Sequence, residues 1–504
     1  MQVKKIKIFL FIFVLLIISV FLFALPVRAQ SNKKDLLELY IDQIYNDTKF
    51  PGLSIAIVDQ NESIIISKGM NELDKEGKIA EDTLFELGSV SKMFTAIGII
   101  YLEKEKLLNT NDPITKYIPW LYIQDSIDTD RNSANKIKIK DLLNHTSGIP
   151  YSAMLAIKPE IGGDALRNVG VLLKDFRLEF EPGEAYAYSS VNYDLLGLLI
   201  EIVTGESFQK FMTDNILKPL GLFHTFILEN NYNTLDNMAS GHRFSFMTVN
   251  EYEAPFYRGN TPSAYFISNA EDMLRWMQIQ MGIYNVPDIY QELISKSHVY
   301  DTSNSSKRKS NYAFGWQVDQ SGKLLTSIGL NPNYTAGLYM DLEQDFGICV
   351  MTNVSTGLVQ DLLSNINQLY HNNEPADLSM DSIKLLDMLM TIFSLILGIL
   401  LIILGLLIRR RIVYIRMHGL ICAKRKMSKI IIIISCFCVF FLIGQIFFLP
   451  GYISEGLTWN TISVWVPQSM ILCIMLFLLL IILVWLYAII LRCFNKNKTD
   501  MDNT

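Results

Sequence analysis

The sequence of 504 residues predicts an α+β domain that is exported from the cytoplasm and followed by three membrane-spanning helices. Strand patterns occur at both ends of the segment 30–385, and helical patterns broken by loops fill the part between them. That order favours one antiparallel sheet built from both ends of the segment, with a helical insertion. After residue 385 the composition changes abruptly to long apolar runs. The chain therefore divides into an exported part and a membrane part.

The amino terminus predicts a secretory signal. Three lysines among the first seven residues precede an uncharged run over residues 8–25. A small-residue sequence like that of a cleavage site follows and ends at Ala29. A positive start, an apolar stretch and such a sequence are typical of a signal peptide, here residues 1–29. Because the apolar run is long for a signal peptide, an uncleaved N-terminal anchor is the alternative. Either segment exports the residues that follow it.

Continuous or alternating apolar patterns predict the strands of the sheet. They lie at residues 53–58, 63–66, 312–318, 323–328, 335–340 and 347–351. The turn-rich connection from Asp59 to Glu62 makes a hairpin of the first two strands. An apolar run with helical spacing begins at Ser89. We expect the exported domain to span residues 36–370, with a linker over 371–385.

Three apolar runs, 386–408, 430–449 and 470–491, are each long enough to cross a hydrocarbon core of about 30 Å. The loop between the first two carries eight cations and no acid, whereas the loop between the second and third has two tryptophans and no Lys or Arg. The positive-inside rule puts the first loop in the cytoplasm. We therefore expect a multi-pass protein of the cell membrane, with residues 30–385 on the extracytoplasmic side.

Charged residues at the ends of the first span have a plain and a functional interpretation. Arg409, Arg410 and Arg411 are interpreted as a topology signal rather than a lipid site. Asp387, at the mouth of the span, is interpreted as an interfacial residue rather than a proton relay. The lipid bilayer itself is an expected partner.

Composition excludes several classes of function. The net charge of −6 is small and gives no basis for a nucleic-acid partner. Of six cysteines only Cys349 lies in the exported part, so no disulfide is expected within it. The six histidines show neither the spacing of metal ligands nor an acidic cluster, and the sequence predicts no metal and no cofactor. Nothing in the pattern sets the oligomeric state.

Ser89 and Lys92 are three residues apart at the start of an apolar run. On a helix, residues i and i+3 lie on the same face, so the Lys92 amine can reach the Ser89 hydroxyl. A serine hydroxyl is a weak nucleophile until a neighbouring base removes its proton, and a desolvated lysine can be that base. The S-x-x-K pair therefore predicts a nucleophilic serine.

A second element, residues 186–197, follows a Pro-Gly turn and precedes an amphipathic helix. A tyrosine that faces a lysine at a helix start can exchange a proton with a leaving group, because the cation lowers the pKa of the phenol. Tyr188 is the predicted residue of this kind. The stretch 144–148 around His145 also has residue types common in catalysis, but it is interpreted as a structural turn.

These two motifs belong to one collinear series that covers about residues 36–370. The series consists of residues 50–57, 85–94, 139–148, 180–197, 268–276 and 346–353. In this order the segments resemble the β-lactamase-related serine hydrolases, a group with class C β-lactamases, D-aminopeptidases and penicillin-binding-protein-like members. The resemblance implies a β-lactamase/transpeptidase-like fold with a five-stranded antiparallel sheet flanked by helices, an all-α lobe, and the site in the cleft between them.

The resemblance also implies catalytic roles. Ser89 is the expected acylated nucleophile and Lys92 its partner, while Tyr188 shares the general acid–base work. The expected oxyanion hole consists of the backbone N–H groups of Ser89 and Leu330, which do not depend on side chains.

Substrate-binding residues are implied by the remaining motifs. The family's Lys/His-x-Gly element falls at residues 327–329, where Ser327 offers a hydrogen bond without a charge and Gly329 is kept. Ser190 stands where the family has asparagine. A domain of this family followed by three membrane helices is also similar to the prodrug-activating peptidases of nonribosomal-peptide pathways, which remove an N-acyl-D-asparagine cap. In that subgroup, residues at the places of Ser190 and Asn331 help to read the asparagine amide. Its histidine has no counterpart in residues 251–263, where Asn260 is the alternative.

The sequence thus predicts a membrane-anchored extracytoplasmic serine hydrolase that works through a Ser-Lys-Tyr acyl-enzyme. The expected reaction is that of a peptidase or amidase on a small D-configured or modified peptide. The alternative is a sensor that is acylated without turnover, or a catalytically degenerate module that binds peptidoglycan or β-lactams. Hydrolysis and transfer to an amine are both compatible with these residues.

Overall fold

A computed structural model describes residues 33–71, 77–128, 130–160, 162–228, 235–299, 311–418 and 426–494. The predicted signal peptide, residues 1–29, lies outside the described residues. The strands are β1 Gly52–Val58, β2 Ser63–Gly69, β3 Phe85–Glu86, β4 Phe226–Ile227, β5 His242–Ser245, β6 Thr248–Glu251, β7 Phe266–Ser268, β8 Tyr312–Ala313, β9 Trp316–Val318, β10 Leu324–Leu330, β11 Thr335–Asp341 and β12 Phe346–Thr352.

The α-helices of the domain are α1 Lys33–Thr48, α2 Ser91–Lys104, α3 Ile139–Leu143, α4 Ser152–Leu155, α5 Ala165–Leu172, α6 Val191–Thr204, α7 Phe208–Met212, α8 Thr261–Ala264, α9 Ala270–Gln280, α10 Asp288–Ser297 and α11 Val359–Tyr370. Four helices follow: α12 Ser382–Met417, α13 Lys426–Ile453, α14 Trp459–Trp465 and α15 Gln468–Cys493. The predicted α+β class is confirmed.

The main sheet is antiparallel, with strand order β2-β1-β12-β11-β10-β9-β8. It has seven strands, whereas five were expected; the five long strands are those that the resemblance implies, and two short edge strands extend them. The predicted strand 312–318 is a hairpin instead. Phe314 and Gly315 have φ values of 49° and 101°, a left-handed pair that turns β8 back onto β9.

Helices cover both faces of this sheet. Successive side chains of a strand point to opposite faces, and in β1 Leu53, Ile55 and Ile57 pack with α1 and α11. Ala56 and Val58, on the other face, belong to the core that also contains residues of α2, α6 and α9, and β1 contacts α9 directly. All seven residues of β1 are buried, so the strand is apolar throughout rather than alternating. The sheet is therefore covered by helices on both faces, and the helical lobe packs on one of them.

Three helices of the membrane part are long and apolar enough to cross a bilayer: Ser382–Met417, Ile430–Ile453 and Gln468–Arg492. The first begins inside the predicted linker 371–385, because the Asp381 side chain accepts hydrogen bonds from the N–H groups of Ile383 and Lys384 and caps it there. It also continues beyond residue 408 to Met417, so the arginines after the apolar run are helical.

The domain contacts the membrane part through the β5–β6 hairpin. In α12, Asp387 is 1% exposed, and its carboxyl oxygens accept hydrogen bonds from the N–H groups of Phe246 (2.9 Å) and Met247 (2.7 Å). The hydroxyl of Ser469 in α15 donates to the same side chain. Asp387 thus joins the hairpin turn to two helices.

Candidate active site

Ser89 lies at the end of the main sheet, on a 3-10 turn that spans Gly88–Val90. The helix expected to begin at Ser89 begins at Ser91 instead. Gly88 has a φ of +53°, a conformation that side chains rarely adopt, and this turn leads the short strand β3 into α2. Ser89 is therefore partly exposed just before the start of α2, whereas most residues of that helix are buried.

The three predicted catalytic side chains are brought together. Lys92 Nζ donates a hydrogen bond to Ser89 Oγ at 3.0 Å, and Tyr188 Oη lies 2.7 Å from the same oxygen. Tyr188 comes from the loop before α6, 99 residues along the chain from Ser89. Both distances are within hydrogen-bond reach, which is the geometric condition for proton transfer to or from the serine.

Lys92 is completely buried beneath Ser89. Besides Ser89, its amine donates to Ser190 Oγ (3.2 Å) and to the carbonyl oxygen of Ser263 (2.9 Å). A lysine amine has three rotatable donors, and these three oxygens accept them in different directions. Lys92 is thereby held at one point despite its flexible stem.

The environment of Tyr188 shifts its acidity. Burial raises the pKa of Tyr188, but the charge of Lys92 and the hydrogen bond with Ser89 outweigh burial and hold this pKa below its ordinary value of 10.0. A lower pKa brings the phenol closer to the range in which it can exchange a proton at neutral pH.

Strand β10 lies directly against the backbone of Ser89. A Cβ atom on Gly329 would be 2.7 Å from the Ser89 nitrogen, and a Cβ on Gly88 would be 2.7 Å from the Leu330 nitrogen. Only glycine allows this approach. The predicted residue Gly329 therefore acts through the absence of a side chain.

The N–H group of Leu330 points away from β11. The N–H of Asn331 donates to Tyr334 at 2.8 Å, and bonded and non-bonded pairs alternate along an antiparallel ladder. The next pair, Leu330 and Thr335, is thus a non-bonded one. The Leu330 N–H faces the Ser89 side, where two backbone donors can meet one oxygen.

A cleft of ≈ 470 Å³ opens in front of Ser89 and Tyr188. It runs over β10, where Ser327 lies on its wall, to the face of α11 that carries Gln360 and Asn367. Among the described residues that line it, none is charged. The wall is thus built from hydroxyls, amides and apolar groups.

Two predicted substrate-binding residues lie elsewhere. Ser190 is 4% exposed and its hydroxyl is used by Lys92. Asn331 is 2% exposed, and its amide donates to the Glu86 carboxylate and to the carbonyl oxygen of Ala264 at 3.0 Å. In this arrangement both side chains are engaged within the protein beside the cleft rather than on its wall.

His145, which the sequence predicts only as part of a structural turn, is a neighbour of the site. It is completely buried, and its ring centroid lies 4.5 Å from that of Tyr188 and 4.6 Å from that of Tyr312. Burial, together with the charge of Lys92, lowers the pKa of His145 well below its ordinary 6.5, so the ring is neutral at neutral pH. Its place in the shared segment 139–148 was the only signal in the sequence.

Asp194 is a second such neighbour. It lies in the first turn of α6 and is 0% exposed. Neither carboxyl oxygen has a described partner in regular hydrogen-bond geometry, although the Ser263 side chain is near enough to interact with the carboxyl group. Burial raises the pKa of Asp194 well above its ordinary 3.8. Within the described residues, no three His, Cys, Asp or Glu side chains form a group that could hold a metal ion.

Comparisons with known proteins agree with this fold. The sequence profile of the Beta-lactamase family matches residues 37–371. "Protein flp" of Staphylococcus aureus (strain NCTC 8325 / PS 47) is 29% identical over 455 residues, which are 87% of this chain and 87% of that protein. A "Putative D-alanyl-D-alanine carboxypeptidase" of Escherichia coli (strain K12) is 27% identical over 315 residues, covering 56% of this chain and 71% of that protein.

Two solved structures share the fold. A penicillin-binding protein homologue from Pyrococcus abyssi, described as octameric, superposes with a TM-score of 0.57 at 22% identity, covering 67% of this chain and 77% of that one. A class C β-lactamase superposes with a TM-score of 0.57 at 18% identity, covering 70% of this chain and 99% of that one. The family match covers well over half of the chain, and the shared fold agrees with it. The protein belongs to the Beta-lactamase family and is a serine hydrolase of that family.

Proposed function

We propose that this hydrolase works through an acyl-enzyme on Ser89, with Lys92 and Tyr188 as its proton-transfer partners. One observation carries the proposal: Ser89 Oγ is within 3.0 Å of Lys92 Nζ and within 2.7 Å of Tyr188 Oη at the head of a cleft. A serine with a cation and an acidified phenol on the same oxygen has what it needs to become a nucleophile.

In the proposed acylation step, Ser89 Oγ attacks the substrate carbonyl carbon and its proton passes to Tyr188 in the phenolate form. The ammonium group of Lys92 stabilises that phenolate, which accounts for the lowered pKa of Tyr188. The carbonyl oxygen becomes an oxyanion between the N–H groups of Ser89 and Leu330. Tyr188 then returns the proton to the leaving amine as the C–N bond breaks.

Deacylation reverses these roles. Water gives a proton to Tyr188, attacks the acyl carbon, and Ser89 leaves with that proton restored to its oxygen. An amine could replace water without any change in the residues involved, because both nucleophiles lose one proton to the same base. The hydrolytic step is the one that the family membership favours.

The proposed substrate is a small D-configured or modified peptide, which the enzyme cleaves as a peptidase or amidase. The relative from Escherichia coli, whose name is that of a D-alanyl-D-alanine carboxypeptidase, supports the peptidase class. The uncharged cleft wall at Ser327 favours a substrate with a neutral group at that end. An N-acyl-D-asparagine cap has such a neutral amide and is the specific candidate that the sequence resemblance adds.

The proposed site of action is the extracytoplasmic face of the cell membrane. The three long apolar helices support anchoring in a bilayer, and the cation-rich segment 409–429 between the first two apolar runs supports a cytoplasmic position for that segment. Since Asp387 joins the domain to these helices, the site would work at a fixed distance from the bilayer surface.

The decisive experiment labels the full-length protein with a fluorophosphonate probe. Ser89→Ala should abolish labelling and leave the thermal melt unchanged, because the side chain is small and partly exposed. Lys92→Ala and Tyr188→Phe should slow labelling by about 10²–10⁴-fold. Ser295→Ala, which changes an exposed serine on α10, is the matched control and should label as the wild type does. Full labelling of Ser89→Ala would refute the proposal and favour a binding module.

A further inference from the structure

A groove between α12 and α15 lies beyond the apolar run of α12. It has a volume of ≈ 700 Å³, and its wall combines leucine, valine and methionine side chains with Arg409, Arg410, Arg411, Tyr414 and Tyr487. We refer to these five residues and the space between them as the arginine groove. It is independent of the hydrolase site, since it lies at the other end of the membrane helices.

Within the described residues, the cations of the arginine groove have no counter-ion. Arg409 and Arg410 are exposed, and in the part of the chain that the structure describes no Asp or Glu forms an ion pair with any of the three arginines. A topology signal alone needs only positive charge in water. It does not need a cavity whose wall the guanidinium groups share with apolar side chains.

Arg411 is held as a fixed donor. One of its terminal nitrogens donates to the Phe494 carbonyl oxygen at 2.6 Å, and its guanidinium carbon lies 5.4 Å from the centre of the Tyr414 ring. Its Nε atom is buried and has no hydrogen-bond partner within the described residues. A buried N–H that lacks an acceptor is unfavourable. A ligand oxygen that accepts from Arg411 Nε would remove this cost, and an anionic oxygen would also match the charge of the guanidinium group.

The depth of the groove identifies the class of ligand. The apolar run ends at Ile408 and the arginines follow at once, so they lie where the hydrocarbon core gives way to headgroups. The leucines of the wall, Leu406 and Leu407, face the acyl-chain side of that boundary. Arginine forks match phosphate oxygens, and tyrosine is common at this level.

We propose that the arginine groove binds the phosphate headgroup of an anionic membrane phospholipid, with the acyl chains along its leucine side. Bilayer phosphates lie at this depth on both faces, so the proposal does not depend on which side faces the cytoplasm. The lipid would fill the space between α12 and α15 and complete the hydrogen bonding of Arg411. It would thereby fix the helix pair that carries Asp387 and Ser469 at its opposite end.

The test uses full-length protein in detergent with phosphatidylglycerol or phosphatidylcholine added, and native mass spectrometry counts the lipids that stay bound. Wild type should retain phosphatidylglycerol in preference to phosphatidylcholine. Arg411→Lys keeps the charge, and with it the topology, but loses the planar fork, so retention should fall about threefold or more. Arg416→Lys, a conservative change of an exposed arginine outside the groove, is the matched control and should retain lipid as the wild type does.

Three outcomes would overturn the proposal. Equal retention of both lipids by the wild type would exclude headgroup recognition. An equal loss in Arg411→Lys and Arg416→Lys, or no loss in either, would mean that bulk charge and not the groove attracts lipid. Displacement of the bound lipid by millimolar inorganic phosphate would assign the groove to a free anion instead.

Discussion

His145 holds the chain on both sides of Tyr188. Its carbonyl oxygen accepts the N–H of Ala187 at 2.9 Å, and its Nδ1 accepts the N–H of Ser189 at 3.4 Å, while its ring packs on the Tyr188 ring. The Asn192 amide contacts the same Nδ1 at 2.8 Å. His145 has a φ of 53°, so this clamp is built on a strained residue. One residue thus sets the backbone and the ring plane of the proposed proton carrier.

Replacement of His145 should therefore affect catalysis through Tyr188. His145→Leu should slow acylation of Ser89 by about tenfold to a hundredfold, because a misplaced proton carrier loses most of its effect. Because acylation needs the Tyr188 phenolate, the apparent pKa of the limb on which the rate rises with pH should move up towards 10.0, the ordinary tyrosine value, as Tyr188 moves away from Lys92. The measurement is the labelling rate with a fluorophosphonate between neutral and alkaline pH.

His145→Asn is the matched control for that experiment. Asparagine offers an acceptor near the position of Nδ1 and tolerates a positive φ, so it should recover much of the rate. If both variants lose activity equally with an unshifted profile, His145 stabilises the fold without positioning Tyr188.

Ser327 predicts poor recognition of carboxylates. A charge-assisted hydrogen bond is about twice as strong as a neutral one, and Ser327 contributes a neutral hydroxyl to a cleft wall without charge. Ser327→Lys or Ser327→His should raise the acylation rate with carboxylate-bearing β-lactams about tenfold, the equivalent of ~1.4 kcal/mol. The measurement is the second-order rate with a chromogenic cephalosporin.

Ser327→Thr, which keeps the hydroxyl without a charge, is the control and should react as the wild type does. Fast acylation of the wild type, or no gain in the Lys and His variants, would mean that another cation meets the carboxylate.

Because Asp194 is buried, we expect the protein to lose stability as the pH rises. In the unfolded chain its carboxyl ionises near the ordinary 3.8, but burial keeps it protonated to a higher pH in the folded protein. Between these two values the unfolded state binds fewer protons, so the free energy of unfolding falls as pH rises. Below pH 3.8 both states are protonated and the effect vanishes. Asp194→Asn cannot ionise, so its stability relative to wild type should increase from pH 4 to pH 8.

Asp319→Asn provides a control of opposite sign. Backbone hydrogen bonds, first that from Leu324, lower the pKa of Asp319 in the folded protein, so its contribution is present above pH 3.8 and lost as pH falls through the folded value. This variant should be less stable than wild type at neutral pH and approach it in acid. Denaturant unfolding at several pH values measures both slopes, and parallel slopes for Asp194→Asn and wild type would contradict the prediction.

Asp387 predicts that the membrane helices stabilise the domain. Phe246 and Met247, whose N–H groups it accepts, have φ values of 57° and 62° and therefore form a strained turn. Asp387→Ala leaves both N–H groups without this acceptor and should lower the free energy of unfolding by about 2–4 kcal/mol. The readout is the thermal melt of full-length protein in detergent. The exposed Asp377→Ala should melt as the wild type does, and equal melts for the two variants would refute the coupling.

The cation-rich segment 409–429 predicts the sidedness of the chain. Reporter fusions after residue 380 and within 454–457 should read as extracytoplasmic, and a fusion within 419–425 should read as cytoplasmic. Moving this cationic segment across the bilayer would oppose the charge bias that orients the helices. A protease-accessible tag at each point, tested on intact cells and on lysates, controls for reporter folding. An extracytoplasmic reading within 419–425 would refute the assignment.

Local chemistry in the sequence was enough to predict several features. The contact between Ser89 and Lys92 could be predicted because a spacing of three residues along a helical turn brings two side chains to one face, whatever the rest of the fold. The five long strands were predicted because each carries its own apolar pattern. The hairpin at Phe314–Gly315 was missed, since the apolar pattern continues through the turn and only the glycine marks it.

Leu330 was predicted from the family resemblance alone. Tyr188 was predicted from its position at a helix start and then from the resemblance, but no local pattern shows that it lies beside Ser89. Their distances, the neutral cleft wall and the engagement of Ser190 by Lys92 depend on segments far apart in the chain. The burial of Asp194, the clamp at His145 and the partners of Asp387 likewise follow from packing. The sequence by itself determined which residues could react and which segments could cross a membrane, because those properties are local. Tertiary structure decided which groups lose water and meet partners, because desolvation and hydrogen bonding depend on neighbours brought together by the whole fold.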